Sequence, residues 1–253
     1  MSKTIICLLI TAIILINLFS CATKNTSDLP ISVIVTNDSK STSNEKIYID
    51  DIIFFGESTT YHLKSRGVLS GGTETTQVWA PKSGTLMLEP TTSECRIIYP
   101  ELKEEISLTD AIKQKKPRAM LLTFGLNGAT NFIKRGESYF KFCYQKLLSA
   151  IKEASPDTKI IINSCFPIAK NMNMSSYTID AKQLNSYINT LNQWACQLAK
   201  ENGAIYTDSA SVIKDENGFL AQNLQAEDGY HLNKDAYKLI LNYLSEELQN
   251  KEN

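Results

Sequence analysis

Residues 48–60 read YIDDIIFFGESTT, and the reading of this stretch decides the fold. Tyr48 to Phe55 is a short run of strand formers that stops at the turn Gly56-Glu57-Ser58, after which Thr59 to Ser65 begins a helix. The same switch recurs along the chain. Ala119 to Phe124 (AMLLTF) and Lys159 to Phe166 (KIIINSCF) are short apolar strand patterns, with Ala204 to Thr207 as a weaker fourth. Helical patterns fall between them: one capped by Ser107 and running through Lys116, then Gly136 to Ala154, Ile179 to Glu201, and a last one from Lys234 to Leu248. In the third, Leu184, Ile188, Leu191, Ala195 and Leu198 keep the spacing of a buried face. Strands alternating with long helices imply an α/β fold of right-handed βαβ units around a mostly parallel sheet covered on both faces. Ligands of such sheets bind at the carboxyl ends of the strands, which directs attention to the turns after Phe55, Phe124 and Phe166.

The 253-residue chain opens with Lys3 and an apolar run from Thr4 to Phe19 that closes on Ser20 and Cys21, the layout of a secretory signal. Leu18-Phe19-Ser20-Cys21 resembles a bacterial lipobox. That resemblance implies a lipoprotein-type signal peptide over residues 1–20, a lipidated Cys21, and an exported protein anchored to the outer face of the cytoplasmic membrane. An uncleaved anchor helix is the competing reading, because about 18 apolar residues can span a bilayer. The rest of 21–46 is rich in Ser, Thr, Asn, Asp and Lys and reads as a flexible tether, leaving 47–253 for one domain. A net charge of −1 without a basic run argues against a nucleic-acid partner. Six cysteines without a CxxC pair, and only two histidines, give neither a disulfide framework nor a zinc site, so no metal or cofactor is expected.

Ser58 follows a strand and opens a helix, where outward-pointing N–H groups bind anions, so it is well placed as a nucleophile; serine is also a favoured helix cap. A serine hydroxyl attacks an ester only when a base takes its proton, and that base is usually a histidine steadied by a carboxylate. His231 lies in Asp228-Gly229-Tyr230-His231-Leu232-Asn233, with Asp228 three residues upstream. His62 is four residues after Ser58 and lacks a comparably spaced carboxylate, which gives it a pocket-rim or surface role. Asn127 in Gly125-Leu126-Asn127-Gly128 brings an amide to a strand end as a candidate oxyanion donor, and Gly84 in a turn offers a backbone N–H for the same purpose.

The order and spacing of Gly56-Glu57-Ser58, Gly84, Gly125-Leu126-Asn127-Gly128 and Asp228-Gly229-Tyr230-His231 resembles the SGNH, or GDSL-type, hydrolase superfamily from about Asp51 to the end of the chain. The resemblance implies a flavodoxin-like domain with about five parallel strands between helices. It implies that Ser58 is the nucleophile and first oxyanion N–H, Gly84 the second, Asn127 the side-chain donor, His231 the base and Asp228 its orienter. Gly67, Gly71 and Gly72 compete for the place of Gly84. Two positions depart from the family pattern: Glu57 and Gly128 each stand where an aspartate is usual. The implied activity is hydrolysis of an acyl ester, with acetyl groups on envelope or extracellular glycans as the leading substrate. Acyl transfer to another hydroxyl, lipase or thioesterase activity, and a non-catalytic binding module are the alternatives. Tyr61, Trp79 and Phe166 are candidates for lining a sugar platform or an acyl slot. Oligomeric state is left open.

Overall fold

A computed structural model describes residues 46–250; the signal segment, Cys21 and all of the tether but its last residue lie outside them. Seven strands form among the described residues: Ile52–Gly56 (β1), Val78–Trp79 (β2), Arg96–Tyr99 (β3), Glu104–Ser107 (β4), Ala119–Thr123 (β5), Lys159–Asn163 (β6) and Ile205–Thr207 (β7). Five of them make one parallel sheet in the order β2-β1-β5-β6-β7, and β3 and β4 pair separately as an antiparallel hairpin. The helices are Ser58–Ser65 (α1), Leu108–Lys115 (α2), Ala129–Arg135 (α3), Glu137–Ala154 (α4), Ala181–Glu201 (α5) and Lys234–Asn250 (α6).

Both faces of the sheet are buried, and the period of two along each strand sorts its side chains between two cores. Ile53 and Phe55, Met120 and Leu122, and Ile160 and Ile162 pack with the inward faces of α2, α4 and α5. Ile52 and Phe54, Ala119 and Leu121, and Ile161 point the other way, toward Leu63 of α1 and Ala236, Ile240 and Leu244 of α6. Each fully buried Phe, Leu or Ile contributes roughly 1.5–3 kcal/mol of transfer free energy. Trp79 and Phe166, considered above as pocket linings, belong to these cores instead, with 0 % and 4 % of their surface exposed.

Two predicted strands are shorter than their apolar runs, for local reasons. Residues Ile49–Asp51 form a turn of 3-10 helix because Asp51 accepts the Tyr48 N–H at 3.1 Å and pairs with Arg118 at 2.9 Å. Beyond Asn163, side-chain amides of α5 take over the backbone groups: Asn192 bonds the N–H and carbonyl of Cys165, and Asn185 those of Ile168. The β3–β4 hairpin and α3 have no counterpart in the sequence reading. Cys95, Cys143, Cys165 and Cys196 are unpaired thiols.

Strand registers align Gly56, Thr123, Asn163 and Thr207 as one row across the carboxyl edge of the sheet. The row is polar and laterally bonded: Asn163 donates to Thr123 Oγ1 at 3.3 Å and accepts from Thr207 and Ser209 at 2.9 and 2.7 Å. At Gly56 a β-carbon would run into Thr60 Oγ1 and the Thr123 carbonyl, so only glycine lets α1 start this close to β5. Replacing Gly56 with Ala should therefore destabilise the domain by about 1–3 kcal/mol. Urea denaturation followed by circular dichroism measures it, and an unchanged midpoint would contradict the close approach.

Candidate active site

Ser58 is the first residue of α1, directly after the Gly56-Glu57 turn, so the opening N–H groups of the helix face the site. Its Oγ lies 3.0 Å from His231 Nε2, a contact between residues 173 apart in sequence. The other ring nitrogen of His231 is 2.6 Å from Asp228 Oδ2. Partial burial alone would raise the Asp228 carboxyl, but the backbone N–H and ring of His231 and the N–H of Tyr230 outweigh it and hold the group below the usual aspartate value. The carboxylate is thus an acceptor, which puts the imidazole proton on Nδ1 and leaves Nε2 bare to accept the serine O–H.

Asp228 to His231 form a local unit. Asp228 Oδ1 accepts the N–H groups of Tyr230 and His231 at 2.9 and 2.8 Å, folding the four residues into an Asx turn. Leu232 buries completely, and Asn233 Oδ1 accepts the N–H groups of Asp235 and Ala236 at 3.0 Å each, capping α6. From α6 the buried Tyr237 hydroxyl donates to the Thr59 carbonyl at 2.6 Å, which docks the His231 loop against the helix that carries Ser58.

Asn127 is linked to this group through Tyr230, the residue before His231. Tyr230 donates its hydroxyl to Asn127 Oδ1 at 2.6 Å, and burial, then Glu57, keep that phenol protonated by raising its pKa. The amide orientation is fixed by this bond, so Nδ2 faces the 85–86 segment, donating to the Leu86 carbonyl at 2.7 Å and to Thr85 Oγ1 at 3.1 Å. Neither Tyr230 nor Thr85 was singled out from sequence as part of the site, although Tyr230 lies inside the DGYHLN block. Gly84 stands beside Tyr61, whose ring would meet a β-carbon there at 3.1 Å. Its N–H closes a turn onto the Pro81 carbonyl at 2.9 Å, so in this geometry it is not a free oxyanion donor as the sequence reading expected. The N–H groups of Gly67 and Gly72 close turns of their own, onto Lys64 and Leu69. Ser58, His231 and Asp228 are in direct contact, and Asn127 is tied to them through Tyr230 with its Nδ2 bonded to Leu86 and Thr85; Gly84 lies beside Tyr61 with its N–H bonded to Pro81. His62, expected at the rim, packs its ring on that of His231. Among the described residues no group of three or more His, Cys, Asp or Glu is arranged to hold a metal.

The profile of the GDSL-like Lipase/Acylhydrolase family matches residues 54–239, a span that includes every one of these site residues. The chain belongs to this family. It is a family of ester-cleaving hydrolases. None of the curated proteins compared matches the chain. Solved structures with the same fold include a protein assigned to the G-D-S-L lipolytic family from Desulfitobacterium hafniense (17 % identity, TM-score 0.51, 77 % of this chain and 97 % of that one). A protein assigned as an acylhydrolase from Bacteroides fragilis (14 %, 0.51, 89 % and 100 %) and a carbohydrate esterase family 3 protein from Talaromyces cellulolyticus (13 %, 0.50, 79 % and 97 %) share it too. At these identities the likeness is one of fold.

Both departures of this GDSL-like chain have a physical account. Gly128 has φ 103° at the start of α3, with Met87 Sδ 3.0 Å from where a β-carbon would sit, so an aspartate there would be strained. Glu57 is 1 % exposed and each of its oxygens accepts a backbone N–H, Gly125 at 3.0 Å and Asn127 at 2.9 Å. Burial pushes its carboxyl up to about 7, against the lowering effect of the Gly125, Asn127 and Leu126 N–H groups. A carboxyl whose folded pKa exceeds its unfolded value binds more protons when folded, so its effect on stability is least adverse below pH 4.5 and worsens as pH rises to about 7. Urea midpoints measured from pH 4.5 to 8 should show this component in the wild type and lose it in Glu57→Gln. Parallel pH curves for the two proteins would refute the assignment.

Proposed function

We propose that this protein is a serine esterase that removes short acyl groups, acetyl foremost, from hydroxyls of envelope or extracellular glycans, working outside the cytoplasmic membrane on a tether lipidated at Cys21. The observation that carries the chemistry is the unbroken line from Ser58 Oγ through the His231 ring to Asp228, at 3.0 and 2.6 Å. His231 Nε2 takes the hydroxyl proton as Ser58 Oγ bonds to the ester carbonyl, and Asp228 stabilises the imidazolium that results. The tetrahedral oxyanion faces the Ser58 N–H and Asn127, whose longer bond, to the exposed Thr85 hydroxyl, is the one exchanged for it. The proton then passes to the departing alcohol oxygen as its C–O bond breaks, leaving an acyl-serine. Water, deprotonated by His231, attacks that acyl carbon, and the returning proton restores Ser58.

The substrate reading rests on the surroundings of this line. The Asp228 side chain is 51 % exposed, and Tyr61 beside Gly84 and Met87 beside Gly128 are exposed in part, which suits an acyl group presented at a surface rather than swallowed in a tunnel. Past Asn127 opens a groove of about 610 Å³ whose lining includes Thr85, Glu89, Thr91 and Glu94, groups that match sugar hydroxyls. An acetyl esterase and a carbohydrate esterase among proteins of the same fold support the same class.

The test is a panel of aryl esters of rising chain length beside acetylated oligosaccharides, with free acetate as the measured product. Acetyl substrates should be preferred, and a preference for long acyl chains would overturn the substrate class. Ser58→Ala and His231→Ala should each cost several orders of magnitude in kcat, with the double variant little worse than either, because the two residues act as a unit. Asn127→Ala should lower kcat about a hundredfold with a smaller change in KM; an effect on KM alone would remove it from the oxyanion site.

A further inference from the structure

His62 lies one helical turn after Ser58 on α1, and the four-residue spacing returns it to the same face of the helix. Its ring rests against the ring of His231, with centroids 4.4 Å apart and planes inclined at 45°. Tyr230 meets His231 edge-on from another direction, at 5.0 Å and 71°. Both ring nitrogens of His231 are taken, by Ser58 and Asp228, so His62 packs against the ring itself, tilted over it, and not against a hydrogen-bonding edge.

Two features hold His62 uncharged. Its Nδ1 is buried and has no hydrogen-bond partner, so a proton placed there would be a donor without an acceptor. Burial first, then the nearness of His231 and Arg66, push its pKa down to about 4, with Asp228 pulling weakly the other way.

We propose that His62 is a positioning residue for the general base: its neutral ring sets the plane of His231 and stabilises the imidazolium formed when Ser58 gives up its proton. This rests on the Ser58, His231 and Asp228 reading of the site. An aromatic face attracts a cation laid against it, whereas a charged neighbour in the same place would oppose one. The other groups around the base are Asp228 and Tyr230 on its own loop, Arg66 on the α1 side, and Glu57 buried behind Tyr230. All of them are retained in the His62 variants, so comparing the variants reads the contribution of the ring.

The experiment is an NMR titration of the His231 side chain in the full protein, its His62→Phe and His62→Leu variants, and each of these in a Ser58→Ala background. Kinetics on an aryl acetate run alongside in the proteins that retain Ser58. The phenyl ring should keep the His231 midpoint at or above that of the wild type, and leucine should lower it by about half a pH unit. Leucine should also cost about tenfold in kcat with KM nearly unchanged. Identical midpoints in all three proteins would overturn the proposal, as would a loss confined to KM. If leucine disturbs folding by circular dichroism, His62→Gln takes its place with the same expectation. Because the titration needs no turnover, the midpoint difference should persist without Ser58, so this inference and the nucleophile assignment fail separately.

Discussion

The site depends on the carboxyl of Glu57. It belongs to the residue before Ser58, and its two oxygens hold the N–H groups of Gly125 and Asn127, so the turn after β1 and the turn after β5 are one rigid piece. A buried carboxyl is costly unless it is hydrogen-bonded, and here the bonds it makes are the ones that fix the serine relative to the amide. Tyr230 closes the arrangement from the third side through Asn127 Oδ1. Three loops that meet only in the folded state are therefore registered through two side chains, neither of which reacts.

Polar strand ends make this geometry affordable. The row of Gly56, Thr123, Asn163 and Thr207 gives the loops a bonded floor, where a wholly apolar sheet edge would leave backbone groups to find partners in the cleft. The two apolar clusters pack on either side of the sheet, and at its amino end Gln77 and Thr158 bond backbone carbonyls in the same way.

Much of this was legible in the sequence because the deciding patterns are local. Alternating apolar runs gave β1, β5, β6 and β7, and Asp228 to His231 is a self-contained turn whose chemistry its own side chains announce. What escaped reading depends on distant partners. The β3–β4 hairpin pairs two four-residue strands, RIIY and EEIS, too short for a clear period, and α3 is a brief helix opened by a glycine. The hydrogen bond from Gly84 N–H to Pro81 depends on a turn geometry that a lone glycine does not specify. The approach of His62 to His231 follows from the docking of α6 on α1 through Tyr237 and Thr59, a contact between residues 178 apart. Glu57 and Gly128 looked like departures from a pattern and are explained only by what stands opposite them.

Ser58 and His231 touch at 3.0 Å across 173 residues of sequence. During synthesis Ser58 and Asn127 emerge first, and β1, β5 and β6 can pair while His231 is still unmade. The contact waits for the docking of α6, whose Tyr237 reaches the Thr59 carbonyl. A chain halted before that point would carry an assembled sheet and a serine without its imidazole.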